Sequence, residues 1–210
     1  MDAVRLGTSG RDEQISWLHD QIRAMGELGI GTLCYNWHAV TGWDDPPLPE
    51  VRGVPRIMGT PDAFDRVLRT VPSDYSGITL CQGNFTLMTD DLPALIRRFG
   101  SQRKIFFVHF RDVAGDARRF IEVFHDEGPT DMLECMRAYY ETSFDGPMRP
   151  DHVPALEGES NESFGYATLG RLFAVGYITG LREAAYGRPP GRYGRPPGRY
   201  GRQVGAGALT

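Results

Sequence analysis

The sequence predicts an α/β fold with a parallel sheet. Three observations carry this reading. Segments with helical periodicity alternate along the chain with short apolar runs rich in strand formers. One run, KIFFVHF at 104 to 110, is apolar almost throughout, as a strand buried on both faces of a parallel sheet should be. Metal-ligating and titratable residues collect where the runs end, the edge at which α/β folds place their sites.

The elements follow in order. Ile15, Leu18, Ile22, Met25 and Leu28 recur at helical spacing within residues 11 to 29, and Gly29 stops that helix. Residues 30 to 36 (IGTLCYN) read as a first strand. Residues 44 to 60 hold four prolines and two glycines and read as a loop. Thr60 before Pro61 and Asp62 marks a helix start, with Phe64, Val67 and Leu68 as its apolar face. Residues 77 to 82 (GITLCQ) form the second strand, and 90 to 99 a helix whose last turn is basic, as the helix dipole favours. The third strand is 104 to 110, followed by a helix at 131 to 140, a short fourth strand at 145 to 150 and a last helix over roughly 165 to 185. Four strands cannot close a barrel that needs eight.

From Tyr186 the composition changes. The segment YGRPPGRYGRPPGRYGR repeats every seven residues and carries Arg188, Arg192, Arg195, Arg199 and Arg202 with no acid. Proline and glycine dominate, so no core can form and disorder is expected over 186 to 210. Residues 1 to 185, the expected catalytic domain, hold 18 Lys and Arg against 27 Asp and Glu, a net charge of −9. That balance speaks against nucleic acid as a partner of the body, although the tail could meet an anionic surface. No apolar run of about 18 residues exists, so no membrane span is expected. The N-terminal residues lack the pattern of a secretory signal. Three cysteines, Cys34, Cys81 and Cys135, suggest reduced thiols and a cytoplasmic setting.

Cys81 ends the second strand, His109 the third, and Asp151 with His152 the fourth. A thiolate, an imidazole and a carboxylate converging from three strands make a candidate site for a divalent metal. Each alone has a plainer reading: a small core cysteine, a hydrogen-bonded core histidine, a turn-capping aspartate. Arg111 has the planar fork that suits a carboxylate, or an ordinary ion pair. His125, in FHDEGPTDM, falls in a loop, where it is either a surface residue or a substrate contact.

The chain resembles the mannonate dehydratase family. The resemblance rests on RLGTSGRDEQI (5 to 15), CYNW and GW (34 to 43), DDPPLPEVRGVPRI (44 to 57), LCQGNF (80 to 85), FVHFRDV (107 to 113), FHDEGPTDM (124 to 132), GPMRPDHVP (146 to 154), and FGY followed by GYITGL (164 to 181). It implies an incomplete (β/α)8 TIM barrel similar to that of xylose isomerase, with about four of eight strands retained. It implies a hydro-lyase that converts D-mannonate to 2-keto-3-deoxy-D-gluconate with Mn²⁺ or Fe²⁺. The implied ligands are Cys81, His109 and Asp151; the implied acid–base residues are His152 and Tyr166; Arg111 and His125 match positions near substrate.

The resemblance also breaks. The family has further strands before RLGTSGRDEQI, and a long stretch between GW and DDPP that ends in a metal-binding histidine. Here Gly42–Trp43 runs straight into Asp44–Asp45, so the fourth ligand is missing. Metal affinity should fall, and activity should be weak or absent. Unpaired strand edges invite association of copies. Competing readings are a related sugar isomerase, which Cys81 argues against, and an inactive barrel fragment whose basic tail binds an anionic partner.

Overall fold

A computed structural model of the chain describes residues 2 to 36, 58 to 160, 162 and 165 to 187. The Trp43–Asp44 junction, nearly all of the proline-rich loop, and residues 188 to 210 of the repeat tail lie outside the described residues.

The elements run α1 (Asp2–Leu6), α2 (Arg11–Glu27), α3 (Pro61–Thr70), β1 (Ile78–Cys81), α4 (Gln82–Thr86), α5 (Leu92–Gly100), β2 (Ile105–Phe110), β3 (Asp112–Asp116), β4 (Arg119–Val123), α6 (Met132–Glu141), β5 (Met148–Pro150) and α7 (Thr168–Tyr186). Strands β1, β2 and β5 form a parallel sheet in that order. Sequence-adjacent parallel strands lie side by side and helices connect them, so the α/β reading holds.

Local chemistry sets the helix starts. Thr60 Oγ1 accepts the Ala63 amide at 3.3 Å, with Pro61 at the first helical position. Asp91 Oδ1 accepts from Ala94 N at 2.9 Å and Asp131 Oδ1 from Glu134 N at 2.9 Å, capping α5 and α6. Arg97 on α5 donates to Glu134 and to Glu141 of α6, tying the two helices together at the surface.

Strand alternation divides the sheet into two faces. Leu80, Val108 and Phe110 point into a core with Phe85, Ile96, Phe99, Met136 and Tyr139, all essentially inaccessible. Helices α5, α6 and one side of α7 cover this face, with Tyr177, Ile178 and Leu181 packed on the core. Thr79, Cys81, Phe107, His109 and Arg149 line the opposite face.

Two expectations are corrected. Residues 30 to 36 form no strand. A short strand persists only when its backbone is paired and its apolar side covered. Here Ile30, Leu33 and Tyr35 are exposed, and α2, the helix expected to cover them, buries none of its residues. The segment meets β1 where Thr79 Oγ1 donates to Cys34 Sγ at 3.1 Å. The described residues therefore contain three parallel strands where four were expected.

The second correction is an antiparallel hairpin, β3–β4, directly after β2, which the sequence reading passed over. Gly115, at φ +124°, lies opposite Phe120 in the ladder; a Cβ there would come within 2.3 Å of the Arg119 carbonyl oxygen. The fourth strand begins at Met148 and not at 145. No helix among the described residues is long and apolar enough to cross a membrane.

Candidate metal centre

Register brings the ligand types together. Cys81 pairs with His109 across β1 and β2, and His109 with Arg149 across β2 and β5. Asp151 follows two residues after Arg149, so it returns to the face that carries His109. One ligand atom from each of Cys81, His109 and Asp151 lies within 4.8 Å of the other two. Asp151 Oδ2 stands 3.7 Å from Cys81 Sγ and 3.5 Å from His109 Nδ1. Sulfur, imidazole nitrogen and carboxylate oxygen at these separations fit a borderline divalent cation.

The electrostatics suit that fit. Burial pushes the Cys81 thiol above its ordinary value, against the pull of Arg111. A cation would oppose that desolvation, because it binds the thiolate. Burial pushes His109 down, toward the neutral ring that a metal needs. Burial also works to raise Asp151, yet His109, Arg111, His152 and Arg149 together hold its carboxyl below the usual range.

Arg111 is built into the site. It donates Nε to Asp151 Oδ2 at 3.0 Å, Nη1 to Glu122 Oε2 at 2.6 Å and Nη2 to Asn84 Oδ1 at 3.4 Å. Its side chain is 5% exposed. The plainer reading, an ion pair, therefore describes its contacts; the fork is already engaged by two protein carboxylates. Gly83 makes room for it, since a Cβ there would stand 2.6 Å from Nη1. Arg149 donates Nη2 to the other Asp151 oxygen at 2.7 Å.

His152 and Tyr166 meet at the rim. The Tyr166 hydroxyl lies 3.3 Å from His152 Nε2, and the segments join where Val153 bridges to Tyr166. The Val153 amide donates to the Gly165 carbonyl at 3.1 Å. Gly165 adopts φ +77° against the imidazole ring, a conformation and a space that favour glycine. The other ring nitrogen, Nδ1, lies 3.1 Å from Glu122 Oε1.

His125 departs from its surface reading. It is fully buried, stacked near Phe110 and edge-on to Tyr177, with Nε2 at 2.7 Å from the Phe110 carbonyl oxygen. Among the described residues its Nδ1 has no hydrogen-bond partner. Asp112 accounts for the fold of this loop: its two oxygens accept from Val113 N, Thr130 N and Thr130 Oγ1.

Sequence reasoning missed Glu122, Asn84 and Arg149. Glu122 was legible in principle: DVAGD and RFIEV flank a turn, the signature of a hairpin. Arg149 sits inside RPDH, two residues before Asp151, the spacing that puts both on one face of a strand.

Comparison with known proteins agrees with the motifs. The profile of the D-mannonate dehydratase (UxuA) family matches residues 1–43 and 44–188, two segments that meet at the Trp43–Asp44 junction. The mannonate dehydratase of Thermotoga neapolitana is 36% identical over 145 residues, 67% of this chain and 40% of that protein. Mannonate dehydratase 2 of Halalkalibacterium halodurans is likewise 36% identical over 145 residues, 67% of this chain and 41% of its own length. The crystal structure of mannonate dehydratase from Streptococcus suis serotype 2 superposes with a TM-score of 0.59 at 30% identity, over 63% of this chain and 39% of that one. The chain thus spans about two fifths of the length of these relatives. With a family profile matched over nearly its whole length and a fold shared with a solved relative, the chain belongs to the mannonate dehydratase family.

Proposed function

We propose that the chain carries the cation-binding and acid–base part of a mannonate dehydratase site, on a sheet that is one sector of an incomplete (β/α)8 TIM barrel. The barrel reading is supported by three parallel strands in sequence order, helices α5, α6 and α7 packed over the core face, and polar side chains gathered at the carboxyl ends. The single observation that carries the function is the convergence of Cys81, His109 and Asp151 within 4.8 Å, beside His152 and Tyr166.

Cys81, His109 and Asp151 would hold Mn²⁺ or Fe²⁺. Bound there, the cation would supply Lewis-acid stabilisation of negative charge on the carboxylate end of D-mannonate. The remaining chemistry belongs to the side chains. Dehydration removes the proton from C2 and expels the C3 hydroxyl as water, which needs one group to accept a proton and one to donate it. His152 and Tyr166 form that pair, within hydrogen-bonding reach of each other. Arg111 orders the site by holding Asp151 and Glu122, and His125 supports the Phe110 end of β2 from beneath. Loss of the fourth ligand before Asp44 leaves three protein donors, so affinity is weakened and turnover is slow.

The test is direct. Purified chain should bind about one Mn²⁺ by calorimetry, and incubation with D-mannonate should yield little 2-keto-3-deoxy-D-gluconate. Robust turnover would show that the shortened site is complete without the lost histidine. Mn²⁺ binding unchanged in Cys81→Ala, His109→Ala and Asp151→Ala would remove the proposal altogether.

A further inference from the structure

Glu122 sits on the hairpin strand β4, away from the strand ends that supply the candidate ligands, yet both of its oxygens are committed inside the site. Oε2 accepts from Arg111 Nη1 at 2.6 Å, and Oε1 lies 3.1 Å from His152 Nδ1. Its side chain is 14% exposed. A carboxylate is an acceptor only, so the contact with His152 requires that Nδ1 carry the proton. In the neutral ring Nε2 then holds the lone pair, and Nε2 is the atom that faces the Tyr166 hydroxyl. A chain of polar contacts results: Asp151 to Arg111, Arg111 to Glu122, Glu122 to His152, His152 to Tyr166.

We propose that Glu122 is a positioning residue for the dehydration: it fixes the His152 tautomer and ring orientation so that Nε2 is the proton acceptor, with Tyr166 Oη as the donor against it. This rests on the reading of His152 and Tyr166 as the acid–base pair. The hairpin gives the arrangement its rigidity. Arg111, buried and held by Asp151, pins one oxygen of Glu122, which leaves the other aimed at the ring. The same logic orients histidines elsewhere, where a carboxylate on the far nitrogen sets the tautomer of the working one.

The experiment reads the tautomer itself. The full chain, labelled with ¹⁵N-histidine and free of added metal and substrate, is examined by long-range ¹H–¹⁵N correlation. His152 is assigned by the signals lost in His152→Gln. The expected result is a proton on Nδ1 of His152 in the wild-type chain, retained in Arg111→Met and shifted toward Nε2 in Glu122→Leu, which removes the acceptor. A neutral wild-type ring protonated on Nε2 and not on Nδ1 overturns the proposal, even if no variant folds. So does a His152 tautomer in Glu122→Leu indistinguishable from wild type. Where turnover of D-mannonate with Mn²⁺ is measurable, Glu122→Leu should lower kcat by about 10- to 100-fold with KM little changed. A raised KM at unchanged kcat would assign Glu122 to substrate binding and overturn the positioning role. The tautomer stands or falls without reference to activity, whereas the Mn²⁺-binding variants test the functional reading on which it rests.

Discussion

Replacing Arg111 with Met probes the electrostatics of the centre directly. Methionine keeps much of the aliphatic stem but removes the charge and the fork. The wild-type guanidinium is 5% exposed and bridges two carboxylates, Asp151 at 3.0 Å and Glu122 at 2.6 Å. Burial works to lower its pKa, but the acids around it, with Cys81, raise it above the ordinary value, so it stays charged. Removing one partner of a buried ion pair costs about 3–5 kcal/mol, because the other is left uncompensated. Here the orphaned acids keep some company. Arg149 still reaches Asp151 at 2.7 Å, and His152 still reaches Glu122 at 3.1 Å. The expected loss therefore sits at the low end, about 3 kcal/mol, equivalent to a fall in Tm of about 6–12 °C for a folded unit of this size. Urea unfolding followed by far-UV circular dichroism measures it. Arg137→Met serves as the control, since that arginine is 52% exposed in its pair with Glu134 and should cost less than about 0.5 kcal/mol. The double variant Arg111→Met with Glu122→Leu should recover part of the loss, because it removes a buried carboxylate whose arginine partner the first change took away. An Arg111→Met chain as stable as the Arg137→Met control would refute the buried bridge.

Three further outcomes follow from the same geometry. Cys81→Ser should weaken Mn²⁺ binding at least about tenfold by calorimetry, because the hydroxyl is not a thiolate donor; unchanged affinity would exclude the sulfur as a ligand. Gly83→Ala should destabilise by about 1–3 kcal/mol, as its Cβ would meet Arg111 Nη1 at 2.6 Å and Val113 Cγ1 at 3.0 Å; the cost should shrink in the Arg111→Met background, where the pinned fork is gone. His125 is held neutral by burial, its pKa lowered in the fold. The unfolded chain takes up that proton near the ordinary value of about 6.5, so this contribution to stability is full above that pH and is lost progressively as pH falls below it. His125→Gln should flatten the decline in urea midpoint between pH 7 and 5, and an unaltered slope would show that the ring is not buried neutral.

Several elements were legible because their causes are local. Thr60–Pro61, Asp91 and Asp131 announce the helices they begin, and the apolar run of β2 declares a strand, although the expected burial on both faces is complete only on the core side, with Phe107 and His109 half-buried on the other. Residues 30 to 36 have the same local signature and form no strand, because pairing is a property of two segments and a cover, and here α2 buries none of its own residues. The hairpin is hard to read because β3 and β4 are only five residues each, with Val113, Phe120, Ile121 and Val123 as their large apolar side chains.

The sequence by itself determined which atoms could reach a cation. Cys81, His109 and Asp151 each stand at or beside the carboxyl end of a strand, and parallel strands align those ends on one edge. Only the tertiary structure decided what the surrounding side chains do: that Arg111 is spent on Asp151 and Glu122, that His125 lies buried under Phe110, and that Glu122 faces His152. The physical reason is range. Periodicity and turn chemistry act over a few neighbouring residues. The hydrogen bonds that set charge and tautomer in this centre join residues 11 to 70 positions apart, and their geometry exists only once the sheet and its hairpin are folded together.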